Sequence, residues 1–466
     1  MAHRFTNPFA PLRLSDDDKH QLHELGEIFV ANAIEQYEAY LVQDRRHVDP
    51  SRWKLIKQRE EIRVYKERSK RRTATASQPS RTPSEASASA SSSQSSSSAS
   101  SANANANSSA LPTMLTVGTT VGTLHDYMYG TVATSVDMAR IRTSYTGDNL
   151  IDGAVLEKIL EPTADDPFRS LSVKWVVKGQ PLHVRTVVKN RDMVYLEYTG
   201  LTRLPTTGEI VGFHLLHSVS FPQTHTLDKT LRGNISICGI FRQHNDDVVE
   251  VFGKGFMDPT GRVLRAMVIK SAAQVMASTA GMTQCAQLKK LAFAMRHRNT
   301  NHTALGQLAS RRRQQQQVLQ RERSRTHSVS AVVKVGAKCC SVCHKEVSRA
   351  PGVLSLGQKS MASHCRLCLH VICSHCRVKK QLSSITPDSE LRVQTMSFCV
   401  LCVADVKALS AWDVAADEIL LQDGPRGYGA SVASSASTPD SDGGLEAWSD
   451  PVSPHHTSAA SLVVQP

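Results

Sequence analysis

The sequence predicts an α+β fold: a curved antiparallel sheet closed by a long C-terminal helix, followed by a small cysteine-rich domain. Six segments between residues 171 and 252 are rich in β-branched and aromatic residues with a period near two, as antiparallel strands are. The apolar period then lengthens to that of a helix. Nine of the eleven cysteines lie between Cys339 and Cys402. This clustering predicts a second, cysteine-rich domain after the first.

Composition limits the classes of protein that fit. The chain has 466 residues, 40% of them hydrophobic, and a formal net charge of +13. It has no apolar run of 18 residues, and its first residues lack the apolar stretch of a signal peptide, so we expect neither a membrane span nor secretion. In such a chain, clustered cysteines indicate metal ligands rather than disulfides. The positive charge favours anionic partners.

Changes in composition divide the chain. A folded domain is predicted over 14–295, interrupted over 70–112 by a Ser/Ala-rich insertion that cannot bury enough apolar surface to fold. A basic linker follows over 296–335, and the cysteine-rich domain occupies 336–405. The segment 424–466 is rich in Ser, Pro, Gly and Asp and is expected to be disordered.

The large domain is predicted to begin with a helix. Ser15-Asp-Asp-Asp18 has the spacing of a capping box and precedes an apolar helical stripe. Trp53 to Tyr65 is interpreted as two short strands around a polar turn, and Val117 to Arg140 as mostly helical despite three glycines. A long helix is expected to begin near Gly261 and close the domain.

The closing helix has one face of apolar and small residues. If small side chains of a helix lie over a curved sheet, a gap remains between them, and such gaps form mostly apolar ligand pockets. A solid core is the alternative interpretation. Four polar residues of the predicted strands could line such a pocket, but they could equally well be exposed to solvent on the other face of the sheet. They are Arg185, Glu197, His214 and His217. No catalytic motif is present, which predicts a non-enzymatic protein.

The large domain resembles START domains. Trp53-Lys-Leu-Ile-Lys and Ile62-Arg-Val-Tyr65-Lys are similar to their opening strands, and Gly233-Asn-Ile-Ser-Ile is similar to a late strand. A closing helix of about 30 residues completes the similarity to this helix-grip fold, over roughly residues 15–295. The resemblance implies one buried hydrophobic ligand, a lipid whose identity no motif encodes.

Four Cys-x-x-Cys pairs follow one another at gaps of 21, four and 22 residues. Two residues between thiolates let both sulfurs reach one tetrahedral Zn²⁺, and eight thiolates make two closed structural sites. The short middle gap favours an interleaved arrangement, with pairs one and three on one ion and pairs two and four on the other. The predicted ligands of the two Zn²⁺ ions are Cys340, Cys343, Cys365, Cys368, Cys373, Cys376, Cys399 and Cys402.

Ser363-His-Cys-Arg-Leu-Cys-Leu-His-Val-Ile-Cys-Ser-His-Cys376 resembles the centre of FYVE-type zinc fingers. That resemblance implies binding to phosphatidylinositol 3-phosphate on endosomal membranes through a basic motif. Only His364 and Arg366 match the motif; Met361-Ala-Ser363 replaces its leading residues, and Met396-Ser-Phe398 stands where a later arginine is usual. We therefore expect the zinc fold to persist and headgroup selectivity to be weakened.

These features predict an intracellular lipid-binding protein that is cytoplasmic and peripheral on endosomal-type membranes, with an anionic membrane surface as partner. A zinc-finger adaptor that binds proteins is the alternative, with a RING-like ubiquitin ligase role disfavoured because no His stands among the middle ligands. An enzyme of the helix-grip superfamily would need a catalytic dyad that the sequence does not show. Nucleic acid is disfavoured because no aromatic residues interrupt the basic runs.

Overall fold

The structure is a computed structural model. The predicted insertion over 70–112 and the segment 424–466 lie outside the residues that it describes, as do nearly all of the basic linker and the segment 182–188 that was predicted as a strand. The described residues are 5–68, 113–179, 189–258, 260, 265–297, 339–345, 347 and 364–423.

The large domain is built on one ten-stranded sheet, antiparallel apart from one short parallel strand. Register shifts in the first and fourth strands bend it, as bulges do. Its strands are β1 (Trp53–Arg59), β2 (Ile62–Glu67), β3 (Met114–Val121), β4 (Leu150–Leu160), β5 (Ser170–Lys178), β6 (Arg191–Arg203), β7 (Ile210–Ser218), β8 (Leu231–Arg232), β9 (Asn234–Asn245) and β10 (Val248–Asp258). The order across the sheet is β1-β2-β3-β10-β9-β7-β6-β5-β4, with β8 beside β6.

Helices cover both faces of this sheet. The first packs its buried residues, among them Leu22, Val30 and Tyr37, on one face. The other four helices lie on the opposite face. The five helices are α1 (Asp16–Val42), α2 (Leu124–Thr131), α3 (Val136–Thr146), α4 (Arg265–Ala277) and α5 (Met282–Arg296). The predicted α+β helix-grip class is confirmed.

The start of the domain follows the sequence prediction. The Ser15 hydroxyl accepts from the Asp18 amide at 3.1 Å, and the Asp18 carboxylate accepts from the Ser15 amide at 3.0 Å, which completes the capping box of α1. Strands β1 and β2 form the predicted hairpin. Local chemistry decides both features, since each depends on residues only a few positions apart.

The prediction of a mostly helical segment from Val117 to Arg140 is wrong for its first part. Those residues continue β3, which pairs with β2 and β10. Gly118 permits this pairing, because a Cβ there would lie 2.2 Å from the Glu61 carbonyl oxygen. The β-branched residues around Gly118 suit a strand, and two long-range partners outweigh the helical spacing. Helices α2 and α3 follow, and β4 was not predicted.

The closing helix is not continuous. A 3₁₀ turn over Ser278–Gly281 separates α4 from α5. On α4, Ala272 is buried, as predicted for the face that packs on the sheet. Ser271 was predicted on the same face but is exposed, so that prediction is wrong. Leu264 lies outside the described residues. The break means that the two halves of the closing element can contact different parts of the molecule.

The small domain packs directly on the large one. It consists of the cysteine turns, a hairpin of β11 (Arg377–Ile385) and β12 (Leu391–Cys399), and helices α6 (Val400–Lys407) and α7 (Ala411–Asp423). These elements contact α2, α3 and α5. Buried apolar residues of both domains, such as Leu291 and Val414, belong to one continuous cluster. The helix α7 extends this contact beyond residue 405, the predicted end of the zinc domain.

Lys290 lies at the centre of this interface with no exposed surface. Its ammonium is 2.8 Å from the Asp126 carboxylate on α2 and donates to the carbonyl oxygens of Leu409 at 2.8 Å and Lys407 at 3.1 Å. At the rim, Glu418 on α7 accepts from the Tyr129 hydroxyl at 2.8 Å and from Arg296 at 2.9 Å. Both domains therefore supply partners for the same buried groups.

Candidate ligand cavity and metal centres

A cavity lies between the sheet and the junction of α4 and α5. Its floor is a row of four residues in register across β3, β10, β9 and β7: Thr116, Gly253, Gly239 and His214. Gly253 carries no side chain and leaves space above the sheet, since a Cβ there would meet nothing closer than 3.7 Å, whereas the Phe241 ring lies over Gly239. Three strand spacings separate the ends of the row, a distance of about 14 Å.

The walls of the cavity are mostly apolar and come from both the sheet and the helices. Its volume is about 100 Å³, which is less than the roughly 300–1,000 Å³ of most small-molecule pockets. A lipid-sized ligand therefore requires the closing element to move outward. The apolar residues lining it include Val176, Met193, Leu216, Ile237, Val275 and Met282.

One end of the cavity is charged. Arg142 on α3, Asp148 before β4 and Lys178 at the end of β5 all line it. The Lys178 ammonium donates to the Asp148 carboxylate at 3.0 Å, and the Thr143 hydroxyl donates to the same carboxylate at 2.6 Å. Burial alone would raise the pKa of Asp148, but Lys178 and Arg142 hold it below its ordinary value. The carboxylate is therefore ionised.

A second carboxylate, that of Glu197 on β6, lies beside Arg142 at this end of the cavity. Lys174 on β5 is in contact with one of its oxygens, and the other lies 2.8 Å from His214 Nε2 and 3.4 Å from Arg142 Nη1. Burial alone would raise the pKa of Glu197, but Lys174 and Arg142 lower it well below its ordinary value. Burial lowers the pKa of His214, although Glu197 opposes part of this shift.

At the opposite end of the floor, Thr116 presents a buried hydroxyl. The residue is 2% exposed, and its Oγ1 has no hydrogen-bond partner among the described residues. Buried polar atoms are usually paired. An unpaired hydroxyl in the wall of a cavity is suited to a ligand or a water molecule.

The solvated interpretation of the polar strand residues is wrong for those that the structure describes. Glu197 and His217 are buried, and His214 lines the cavity. His217 lies on the opposite face of β7, where its ring contacts Phe29 of α1, its Nδ1 is 3.0 Å from the Ser236 hydroxyl, and burial lowers its pKa to about 4. Arg185 lies outside the described residues.

Three charged residues of the cavity were not predicted from the sequence: Arg142, Asp148 and Lys178. A signal was available in β5, where Lys174 and Lys178 interrupt a run of apolar residues at positions that share one face of the sheet. A lysine in an otherwise buried strand needs a carboxylate partner. Arg142 and Asp148 gave no such signal, because they lie in and just after a polar helix.

The eight paired cysteines form two groups of four, as the interleaved arrangement predicted. Within each group the sulfur atoms lie within 4.8 Å of one another. Cys343 Sγ is 3.6 Å from Cys373 Sγ, and Cys368 Sγ is 4.0 Å from Cys399 Sγ. The groups are Cys340, Cys343, Cys373 and Cys376, and Cys365, Cys368, Cys399 and Cys402.

These distances and donors suit zinc. Tetrahedral Zn–S bonds of about 2.3 Å place sulfurs about 3.8 Å apart, close to the separations seen. His344 and Leu369 follow the first and second pairs with φ of 59° and 63°, and these left-handed residues tighten each turn. The amides of His344 and Leu369 donate to the carbonyls of Cys340 and Cys365, both at 2.9 Å. Metal occupancy and the ligand role of each cysteine remain predictions.

The two residues predicted to contact a phosphoinositide lie beside the second cysteine group. His364 pairs with Val371 in an isolated bridge, and the Arg366 amide donates to the Ser397 carbonyl at 2.9 Å. Both side chains are half-buried. Ser397 also pairs with Lys379 on β11, so Arg366 and Lys379 flank the same position of β12. The exposed Lys379 is a cation that the sequence motif does not include.

Several solved structures are similar to the chain. They include human STARD10 (13% identity over 63% of this chain and 86% of that chain, TM-score 0.34) and human StAR-related lipid transfer protein 5 (12%, 58% and 98%, TM-score 0.35). A third is the human StarD13 lipid transfer and protein localization domain (9%, 54% and 93%, TM-score 0.32). No protein-family model and no curated protein match the chain. Similarity at this level says nothing about its ligand.

Proposed function

We propose that this chain is a non-enzymatic lipid-binding protein whose large domain holds a hydrophobic ligand and whose small domain directs it to anionic membranes. The observation that carries the proposal is the apolar cavity over Gly253. Apolar walls with a few convergent polar groups are the usual composition of a ligand pocket. No helix in the described part of the chain is long and apolar enough to cross a bilayer.

The closing element suggests how a ligand enters. Helix α4 covers the cavity, whereas α5 is packed beneath the small domain and anchored by Lys290. The 3₁₀ turn between them is the place where backbone angles can change without disturbing α5. We propose that α4 swings away from the sheet at this turn while α5 stays in place, and a lipid then moves its chain from the bilayer into the cavity.

The small domain is proposed to contact the membrane. When bound, two Zn²⁺ ions would fix the fold of this domain, since closed Cys₄ sites are structural. Arg366 and Lys379 would bind anionic headgroups, including phosphatidylinositol 3-phosphate. Leu369 and Leu401 are 55% and 50% exposed beside the second cysteine group, and their side chains would enter the interface. We propose that the protein acts at the cytoplasmic surface of endosomal-type membranes.

The cavity is tested by filling it. A Cβ at Gly253 meets nothing closer than 3.7 Å, so Gly253→Leu places a side chain in the cavity without a backbone clash. We expect this variant to extract lipid from labelled vesicles at least about tenfold less than the parent, because the added chain occupies the ligand volume. The assay counts lipid bound per protein after centrifugation.

Ala31→Leu is the matched control, since Ala31 is exposed on α1 and the substitution adds the same side chain outside the cavity. It should leave extraction unchanged. Equal extraction by Gly253→Leu and the parent, with both proteins folded, would exclude this cavity as the lipid site.

Membrane contact is tested by sedimentation with liposomes that contain either phosphatidylserine or phosphatidylinositol 3-phosphate. Arg366→Ala and Lys379→Ala should each weaken binding severalfold, because a cation near an anionic surface contributes about 1 kcal/mol. Lys54→Ala removes an exposed charge from the large domain and should have no effect. Binding that is equal in all four proteins would contradict the assigned surface.

A further inference from the structure

The charged end of the cavity has more positive than negative groups. Arg142, Lys174 and Lys178 face two carboxylates, Asp148 and Glu197, so the described groups sum to 3 − 2 = +1. Two further titratable residues line the cavity: burial raises the pKa of Tyr195 well above its ordinary value and lowers that of His214, so both are neutral near pH 7. Neither changes the sign.

The pairing shows which cation lacks a full partner. Lys174 contacts Glu197 and donates to the Ala133 carbonyl at 2.5 Å; burial lowers its pKa, and the ion pair with Glu197 opposes part of that shift. Lys178 is paired with Asp148 at 3.0 Å. Arg142 donates to the Thr131 carbonyl and reaches Glu197 only at 3.4 Å. Its side chain is 11% exposed, and it shares the Glu197 carboxylate with Lys174.

An uncompensated charge in a buried site is costly unless an opposite charge joins it. Arg142 and Lys178 both line the cavity, so a ligand headgroup could reach them. The row of floor residues then leads from His214 past Gly239, which the Phe241 ring covers, to Gly253 and Thr116. The charge imbalance and the apolar walls of the cavity therefore point to the same molecule, with an anionic head at one end and an apolar chain along the walls.

We infer that the cavity takes a single-chain lipid with an anionic head, either a carboxylate or a phosphate ester, bound by Arg142 and Lys178. The inference rests on the proposed lipid-binding function and names the class of ligand. One chain fits because the cavity has a volume of only about 100 Å³. Its length of about 14 Å, three strand spacings, suits a medium chain that ends near Thr116.

The test compares three probes that share a chain and differ in the head: dodecanoate, dodecyl phosphate and dodecan-1-ol. Each is titrated calorimetrically into the delipidated full chain below its micelle concentration. The anion that fits should bind at least about tenfold tighter than the alcohol, since a charge-assisted hydrogen bond contributes on that scale. The tighter of the two anions assigns the head as carboxylate or phosphate.

Two variants separate charge from structural damage, because each breaks the same ion pair. Lys178→Met lowers the local charge to zero and should reduce the anion-to-alcohol affinity ratio toward one. Asp148→Asn raises the charge to +2, keeps an oxygen for the Thr143 hydroxyl, and should increase that ratio. A ratio that moves in the same direction in both variants would overturn the inference.

An alcohol that binds the parent as tightly as the anions would also overturn it, while leaving lipid binding itself intact. If none of the three probes binds but a two-chain or neutral lipid co-purifies with the parent, the headgroup inference is wrong and the proposed function stands. If no lipid binds by any assay, the proposed function fails as well.

Discussion

At the scale of single residues, Lys290 shows how the two domains depend on each other. Its ammonium is fully buried and has one partner on α2 and two on the small domain. Removing one member of a buried charge pair leaves the other unpaired and commonly costs about 3–5 kcal/mol. Neither domain alone satisfies this lysine, so its pairing ties the fold of one to the presence of the other.

Lys290→Met should therefore destabilise the whole chain by about 3–5 kcal/mol, because Asp126 loses its only buried cation partner among the described residues. Denaturant unfolding of the full chain measures the loss. Lys158→Met, which removes an exposed pair with Glu161, is the control and should cost much less. A loss no larger than that of the control would show that Lys290 does not hold the interface.

At the scale of elements, the sequence predicted what local chemistry determines. The capping box of α1, the β1–β2 hairpin and the interleaving of the cysteine pairs all follow from residues with fixed spacing. Strand β3 was predicted as a helix because its two pairing partners lie about 50 and 130 residues away. Long-range pairing of that kind has no signature in a short window.

The candidate site could be predicted only in part for the same reason. The cysteines were found because Cys-x-x-Cys spacing is set by the metal. The cavity depends on Gly239 and Gly253 meeting in register on neighbouring strands, and the ion cluster depends on α3 reaching β5 and β6. Neither juxtaposition is visible until the sheet order is known, so the sequence suggested a pocket without naming its polar residues.

At the scale of the whole molecule, metal binding should stabilise both domains. A structural Zn²⁺ contributes about 10–16 kcal/mol of folding free energy in small domains. Helix α7 and the segment around Leu409 cover α2 and α5, so loss of the metal would expose part of the large domain's core. We therefore expect the small domain to hold α5 of the closing helix pair in place, in addition to contacting the membrane.

Zinc chelation should lower the melting temperature of the large domain. Near-ultraviolet circular dichroism measures this temperature, because its signal comes from the buried Trp175 and neighbouring tyrosines. The same chelator saturated with zinc beforehand is the control and should have no effect. If the large domain melts at the same temperature with and without metal, the packed interface does not couple the domains.

The central claim is that the cavity of the folded protein holds one lipid. Native mass spectrometry of the full chain, purified from cells without detergent, tests it most directly. We expect a species with the mass of the chain, two zinc ions and one lipid, and we expect Gly253→Leu to retain the zinc and lose the lipid. A parent spectrum with two zinc ions and no lipid at any collision energy would contradict it.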